Sequence, residues 1–173
     1  VATVLTAMDA EIVTSKRREP IGEMMKKSHC RLVEEDEIVT EIRIPASARD
    51  YRIGYDKFRV RDSHDFAVVS VASAYKVQDG VVTDARIVLG AVAPIPLRAK
   101  EAEAYITGKA VTGELAAEAA EIALQGALPL SKNGYKVQIA KTLVRNSLLN
   151  ARTPVRSEDK GADARGTKRQ KQA

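Results

Sequence analysis

The dipeptide Asp79-Gly80, set between two Val- and Ala-rich runs, constrains this chain more than any other feature. Gly accepts positive φ without steric cost, so Asp-Gly between apolar runs is a strong turn signal. Phe66 to Val77 precedes it and is long enough to cross a sheet; Val81 to Val92 returns as the next strand. Tyr55 to Arg61 forms a shorter strand ahead of them, and Pro94 and Pro96 stop the sheet, since Pro has no N–H for a ladder. Residues 49–95 therefore form an antiparallel meander.

Helical periodicity takes over next. Arg98 to Thr107 is Ala- and Glu-rich and ends at Gly108, a C-cap. Thr112 caps a second helix, Gly113 to Gln125, with Leu115, Ala119 and Ile122 on one side. Tyr135, Ile139 and Leu143 recur every four residues beside Val137, Ala140, Val144 and Leu148, a third amphipathic helix ending near Arg152-Thr153-Pro154. The reading is an α+β domain over residues 49–152, a three-stranded antiparallel sheet packed on a three-helix layer. Residues 1–48 add a strand over Ala7 to Thr14, a charged turn over Lys16 to Glu19, and a strand over Ile38 to Ile44 that Pro45 ends.

Charge separates the remaining segment. Between Arg156 and Ala173 six basic residues face three acidic ones, which is most of the net +5. Residues 153–173 are expected to be a disordered basic tail, with too few apolar groups to offset the entropy of ordering. The rest of the chain is nearly neutral, which argues against a nucleic-acid-binding face.

Several chemistries are excluded. No apolar run reaches the roughly 20 residues that cross a membrane. The N-terminus lacks a basic region followed by a hydrophobic stretch, so a cytoplasmic location is expected; because the first residue is Val, a processed or fragmentary chain is also expected. Cys30 is the only cysteine, so an internal disulfide and a Cys-held iron–sulfur cluster are both ruled out within the chain. No two of the ten glycines lie within three residues of each other, so neither a P-loop nor a Rossmann fingerprint is present. His29 with Cys30, and His64 with Asp65, are too few and too scattered for a metal site. Ser63 and Ser70 have no nucleophile-elbow pattern around them.

Residues 55–67 pack three basic and three acidic residues into a turn between two strands. From here the chain resembles a known family. Glu37-Ile38-Val39-Thr40-Glu41-Ile42-Arg43-Ile44-Pro45 resembles a strand of the FAD-carrying subunits of molybdenum-containing hydroxylases, the xanthine dehydrogenase and aerobic carbon monoxide dehydrogenase family. Tyr55, Lys57, Phe58, Arg61, Asp65, Phe66, Ala67 and Val69 match a second segment in spacing. Leu89-Gly90-Ala91-Val92-Ala93-Pro94-Ile95-Pro96-Leu97-Arg98-Ala99, followed by Glu101-Ala102-Glu103, is similar to a third, and residues 135–149 resemble the closing helix.

The resemblance implies the C-terminal part of a medium subunit. Residues 1–48 would be the end of an FAD-binding domain. Electrons would pass from a molybdopterin large subunit, through two [2Fe-2S] clusters of an iron–sulfur small subunit, to FAD and then to an acceptor. Lys57 matches a lysine near the polar edge of the flavin ring, Tyr55 a position at the ring face, Ile38 and Val39 the apolar residues packed against the ring, and Asp65 the end of a flanking loop. Arg61 is expected to be structural in that loop, and His64 stands where some members carry an acid. The glycine-rich pyrophosphate loops lie upstream of residue 1 in the family, so a further segment or separate chain is expected to supply them. The competing reading is a non-catalytic module that docks onto the iron–sulfur and molybdenum subunits without flavin.

Overall fold

Among the residues described by the computed structural model, 1–27, 33–61 and 63–151, two antiparallel sheets of unequal size organise the chain. The smaller has the order β2-β1-β3, from β1 (Glu11–Thr14), β2 (Arg18–Pro20) and β3 (Val39–Arg43). The larger has the order β4-β5-β6-β7, from β4 (Arg52–Phe58), β5 (Val69–Gln78), β6 (Val81–Gly90) and β7 (Leu97–Arg98). Five α-helices accompany them, α1 (Ala2–Ala7), α2 (Ile21–Lys27), α3 (Lys100–Ile106), α4 (Gly113–Ala123) and α5 (Tyr135–Asn150), with a 3-10 helix over Ala46–Asp50. The α+β class with an antiparallel sheet against helices is as read from the sequence.

The hairpin turns at Asp79-Gly80 with φ of 50° and 80°, both left-handed, and Gln78 pairs with Val81 across it. From there β5 and β6 run in register to Ser70 opposite Gly90, with one irregularity at Lys76/Val77. One face of the hairpin presents Val69, Val71, Tyr75, Ile87 and Leu89 to a core completed by Ala102 and Ile106 of α3, Ala116 and Ala119 of α4, and Ala140, Val144 and Leu148 of α5. Thr112 caps α4 as expected, its Oγ1 accepting from Leu115 N–H at 3.1 Å. The opposite face carries Ala72 and Val88, and there α1 packs with Ala7 and Val4.

The structure departs from the sequence reading in several places. Residues 7–10 are not strand: α1 occupies Ala2–Ala7, Asp9 takes left-handed backbone at φ 49°, and the strand begins only at Glu11. The turn expected over Lys16 to Glu19 is shorter, because Arg18–Pro20 pairs with β1 and Arg18 forms an ion pair with Glu11 across the ladder. Helix α2 follows at once, burying Ile21 and Met24 against Ile12, a contact that the charged local sequence conceals. The larger sheet has four strands instead of three, because Leu97 and Arg98, just past the prolines, pair with Leu89 and Val88. Strand β4 also stops at Phe58, short of Arg61, and β5 starts at Val69, leaving Phe66 94% exposed. His29, Cys30 and the tail expected over residues 153–173 lie outside the described residues.

Close approach of α1 to the sheet depends on Gly90. A Cβ there would overlap Ser70 Oγ and lie 2.7 Å from Thr3 Oγ1 of α1. Gly90→Ala should therefore lose about 1–3 kcal/mol, read as a fall of several degrees in thermal midpoint. Amide exchange in α1 should rise with it. An unchanged midpoint together with unchanged protection of α1 would show that the helix docks without needing the gap.

Candidate functional site

Side chains of a strand alternate between the faces of its sheet, and those directly opposite one another share a face. In β4, Ile53 pairs with Ala74, Tyr55 with Ala72 and Lys57 with Ser70. Ala72 lies on the face that α1 covers. Ile53, Tyr55 and Lys57 therefore stand on that same face, at the β4 edge, where Tyr55 remains 47% exposed.

The loop after β4 is braced by its own cations. Lys57 Nζ donates to the Asp65 carbonyl at 2.9 Å, and Arg59 Nη1 donates to the Ser63 carbonyl at 2.9 Å. Arg61 Nε donates to Asp65 Oδ2 at 3.0 Å, while Asp65 Oδ1 accepts from Phe66 N–H at 2.9 Å. Val68 N–H closes the loop onto the Phe58 carbonyl at 2.9 Å. Of the sequence-derived candidates, Lys57 and Asp65 are thus in contact, and Tyr55 lies two residues along the same face. The carbonyl that Lys57 meets is neutral, so this bond leaves its positive charge uncompensated.

Val39 belongs to the smaller sheet and Ile38 immediately precedes it. Ser15 N–H donates to the Ile38 carbonyl at 2.9 Å, and Val39 pairs with Thr14. Both side chains are exposed, Ile38 at 71%. The two sheets approach at the far end of β3, where a groove is lined by Met8, Ile44, Pro45, Tyr51 and Ile53. No group of three or more His, Cys, Asp or Glu residues suited to a metal ion occurs among the described residues.

The family model for the CO dehydrogenase flavoprotein C-terminal domain matches residues 54–151. The chain belongs to this family. It is 30% identical over 137 residues to the carbon monoxide dehydrogenase medium chain of Hydrogenophaga pseudoflava, covering 77% of this chain and 47% of that one. It is 30% identical over 148 residues to the glyceraldehyde dehydrogenase medium chain of Sulfolobus acidocaldarius, covering 81% and 52%. The chain thus spans about half the length of these curated relatives. Among solved structures, carbon monoxide dehydrogenase from Hydrogenophaga pseudoflava, in a form lacking the Mo-pyranopterin moiety, superposes with a TM-score of 0.75 at 32% identity, covering 86% of this chain and 54% of that one. Quinoline 2-oxidoreductase from Pseudomonas putida 86 gives the same TM-score at 26% identity, with the same coverage. Within the family domain, β4 to α5 carry Tyr55, Lys57 and Asp65, while Ile38 and Val39 precede the matched region.

Sequence reasoning passed over the residue that holds Ile38 in place. Glu37 has its side chain fully buried; Thr14 Oγ1 donates to Oε1, Glu34 N–H donates to Oε2 at 2.9 Å, and Arg17 Nη2 lies 3.3 Å from Oε2. One carboxylate thereby ties β1, the β1–β2 turn and the entry to β3. The only available signal was its place at the head of the alternating strand. The Thr14 hydroxyl, then the Glu34 N–H and then the Arg17 charge hold its carboxyl below the usual range against the opposing effect of burial.

A lowered folded pKa means that Glu37 stabilises the chain fully above its unfolded value, about 4.3. That contribution fades as pH falls below this value and through the folded one. Glu37→Gln should speed amide exchange in β1 and β3 at pH 7, and the difference from wild type should shrink as pH falls below about 4. A difference that stays constant down to pH 3 would show that the carboxylate charge is not what holds these strands.

Proposed function

We propose that this chain is the C-terminal part of the FAD-carrying medium subunit of a molybdenum hydroxylase, with residues 1–48 the end of the FAD-binding domain and residues 49–152 the C-terminal domain. The observation that carries the proposal is the uncovered edge of the family domain, where Tyr55 and Lys57 share one face and Asp65 closes the loop beside them. When bound, FAD supplies electron transfer between the iron–sulfur clusters of a small subunit and an acceptor. The molybdopterin belongs to a large subunit. The complex is taken to be cytoplasmic; among the described residues no helix is long and apolar enough to cross a membrane.

The residues suit one part of FAD. Tyr55, Ile38 and Val39 offer exposed apolar and aromatic surface for a planar ring, and Lys57 offers a cation for its polar edge. Lys57 would stabilise the negative charge that the ring gains on reduction. Asp65, held by Lys57 and Arg61, would keep the loop at the mouth of the site. The pyrophosphate is a different matter: Gly80, Gly108 and Gly126 adopt positive φ singly, each with open space where a Cβ would stand, and serve turns and helix ends. Among the described residues these glycines form no phosphate cradle, and the proposal assigns that role to the part of the relatives' length that this chain does not span.

The chain, tagged and purified in complex with its native partners, should bring down molybdenum, iron and stoichiometric FAD, read from flavin absorption and metal analysis. Molybdenum and iron without flavin would support the docking-module reading instead, and neither metal nor flavin would remove both. In the flavin-loaded complex, Lys57→Met keeps length and loses charge. The flavin midpoint should fall by about 20–40 mV, with the iron–sulfur and molybdenum signals unmoved. An unmoved flavin midpoint at full occupancy would leave Lys57 as a loop brace only.

A further inference from the structure

Asp9 stands between α1 and β1, the one acidic residue joining the helix that covers the larger sheet to the strand that opens the smaller one. Its backbone is left-handed, φ 49°, which turns the chain abruptly and points the carboxylate back at the larger sheet. Each carboxylate oxygen is taken by a different arginine: Arg98 Nη1 of β7 donates to Oδ1 at 2.9 Å, and Arg86 Nη2 of β6 pairs with Oδ2 at 2.9 Å. The ties continue on both sides. Arg98 Nε donates to Glu103 of α3 at 2.9 and 3.0 Å, and Glu103 also accepts the Ile87 N–H at 2.8 Å. Arg86 Nη2 donates to the Tyr51 hydroxyl at 3.0 Å and its guanidinium lies 4.2 Å over the Tyr51 ring; that hydroxyl in turn donates to Asp84.

Two arginines converging on one point repel unless an anion stands between them. Here the anion comes from residues 1–48 and both cations from the larger sheet, so the contact spans the junction instead of closing a loop on itself. It acts where α1 already packs through Ala7 on Ala72 and Val88. Packing of small apolar groups resists separation but tolerates sliding and rotation. A carboxylate held from two directions fixes both. On one side of this joint is β3, preceded by Ile38 and carrying Val39; on the other is β4, carrying Tyr55 and Lys57.

We infer that Asp9, with Arg86 and Arg98, is a positioning latch that sets the two sheets, and with them the two groups of residues proposed to face the flavin, relative to each other. The role as a cleft latch rests on the flavin reading above; the role as a joint between the sheets does not. Asp9→Asn keeps the shape and the tolerance for left-handed backbone but removes the charge.

The test uses the full assembled complex. In a Cys30→Ser background, spin labels on Glu41→Cys of β3 and Thr83→Cys of β6, both exposed positions, report the distance between the sheets. The latch predicts one narrow distance in the parent and a broadened or shifted distribution in Asp9→Asn and Arg98→Met, with Arg98→Lys closer to the parent. The double variant should be no worse than the worse single, since one joint is broken either way. FAD should dissociate more readily from Asp9→Asn, with its dissociation constant raised about threefold or more, and the visible circular dichroism of the flavin should change. Broadened distances in a complex that never carries FAD would leave the joint standing and remove the flavin reading. An unaltered distance distribution in Asp9→Asn, or broadening only in step with loss of the helical signal, overturns the latch.

Discussion

Burial of β5 on both faces is the constraint on which the rest of the structure depends. Every residue from Val69 to Tyr75 is buried, and each fully buried large apolar side chain contributes about 1.5–3 kcal/mol. A strand of this kind needs cover on two sides. Helices α3, α4 and α5 provide one, through a stripe of alanines and Val144 and Leu148 that lets helices lie close to the sheet. Among the polar groups buried in this core, the Tyr75 hydroxyl meets Ser147 Oγ at 3.0 Å while Ser147 donates to the Val144 carbonyl at 2.8 Å. Burial pushes the Tyr75 phenol well above its ordinary value and keeps it neutral, so α5 is keyed to β5 at no cost in buried charge.

The second cover is α1, and its shortness shapes the candidate site. Its six residues reach over β5 and β6 but leave β4 at the rim. Ala7, Ala72 and Gly90 permit that approach because they present little or no side chain. What α1 leaves bare is the strip holding Ile53, Tyr55 and Lys57, so the site is the part of a core face that the covering helix does not reach. The same helix belongs to the segment carrying the smaller sheet, which makes the junction between the sheets a matter of how α1 is seated.

Polar groups then fix what apolar packing leaves free. Glu37 gathers Thr14, Arg17 and the Glu34 N–H at the entry to β3; Asp65 gathers Arg61 and Lys57 around the loop after β4; Asp9 gathers Arg86 and Arg98 at the junction. In each case one acidic residue joins elements that are separate in sequence or ties a loop to its strand. Directional bonds of this sort specify geometry more than they add stability, since partly exposed pairs are individually weak.

Elements with strong local preferences were legible in the sequence. Asp79-Gly80 turns the hairpin because both positions accept positive φ; Thr112 caps α4 because its hydroxyl can reach the Leu115 N–H; the alternation from Ile38 to Ile44 marks β3. The family itself was legible in four segments in order, with Tyr55, Lys57 and Asp65 among them. Four short elements, α1, β2, α2 and β7, were not. Arg18–Pro20 and Leu97–Arg98 are strands only because a neighbour offers them hydrogen bonds, and α1 and α2 are too short to form without the surfaces they bury. The sequence by itself determined the long hairpin, the helical layer and the class of the domain, since those follow from turn chemistry and periodicity within a window of residues. Only the tertiary structure decided that α1 covers the second face, that Glu37 and Asp9 hold the two sheets in place, and that the β4 edge stays open, because those outcomes depend on groups dozens of residues apart meeting at one point.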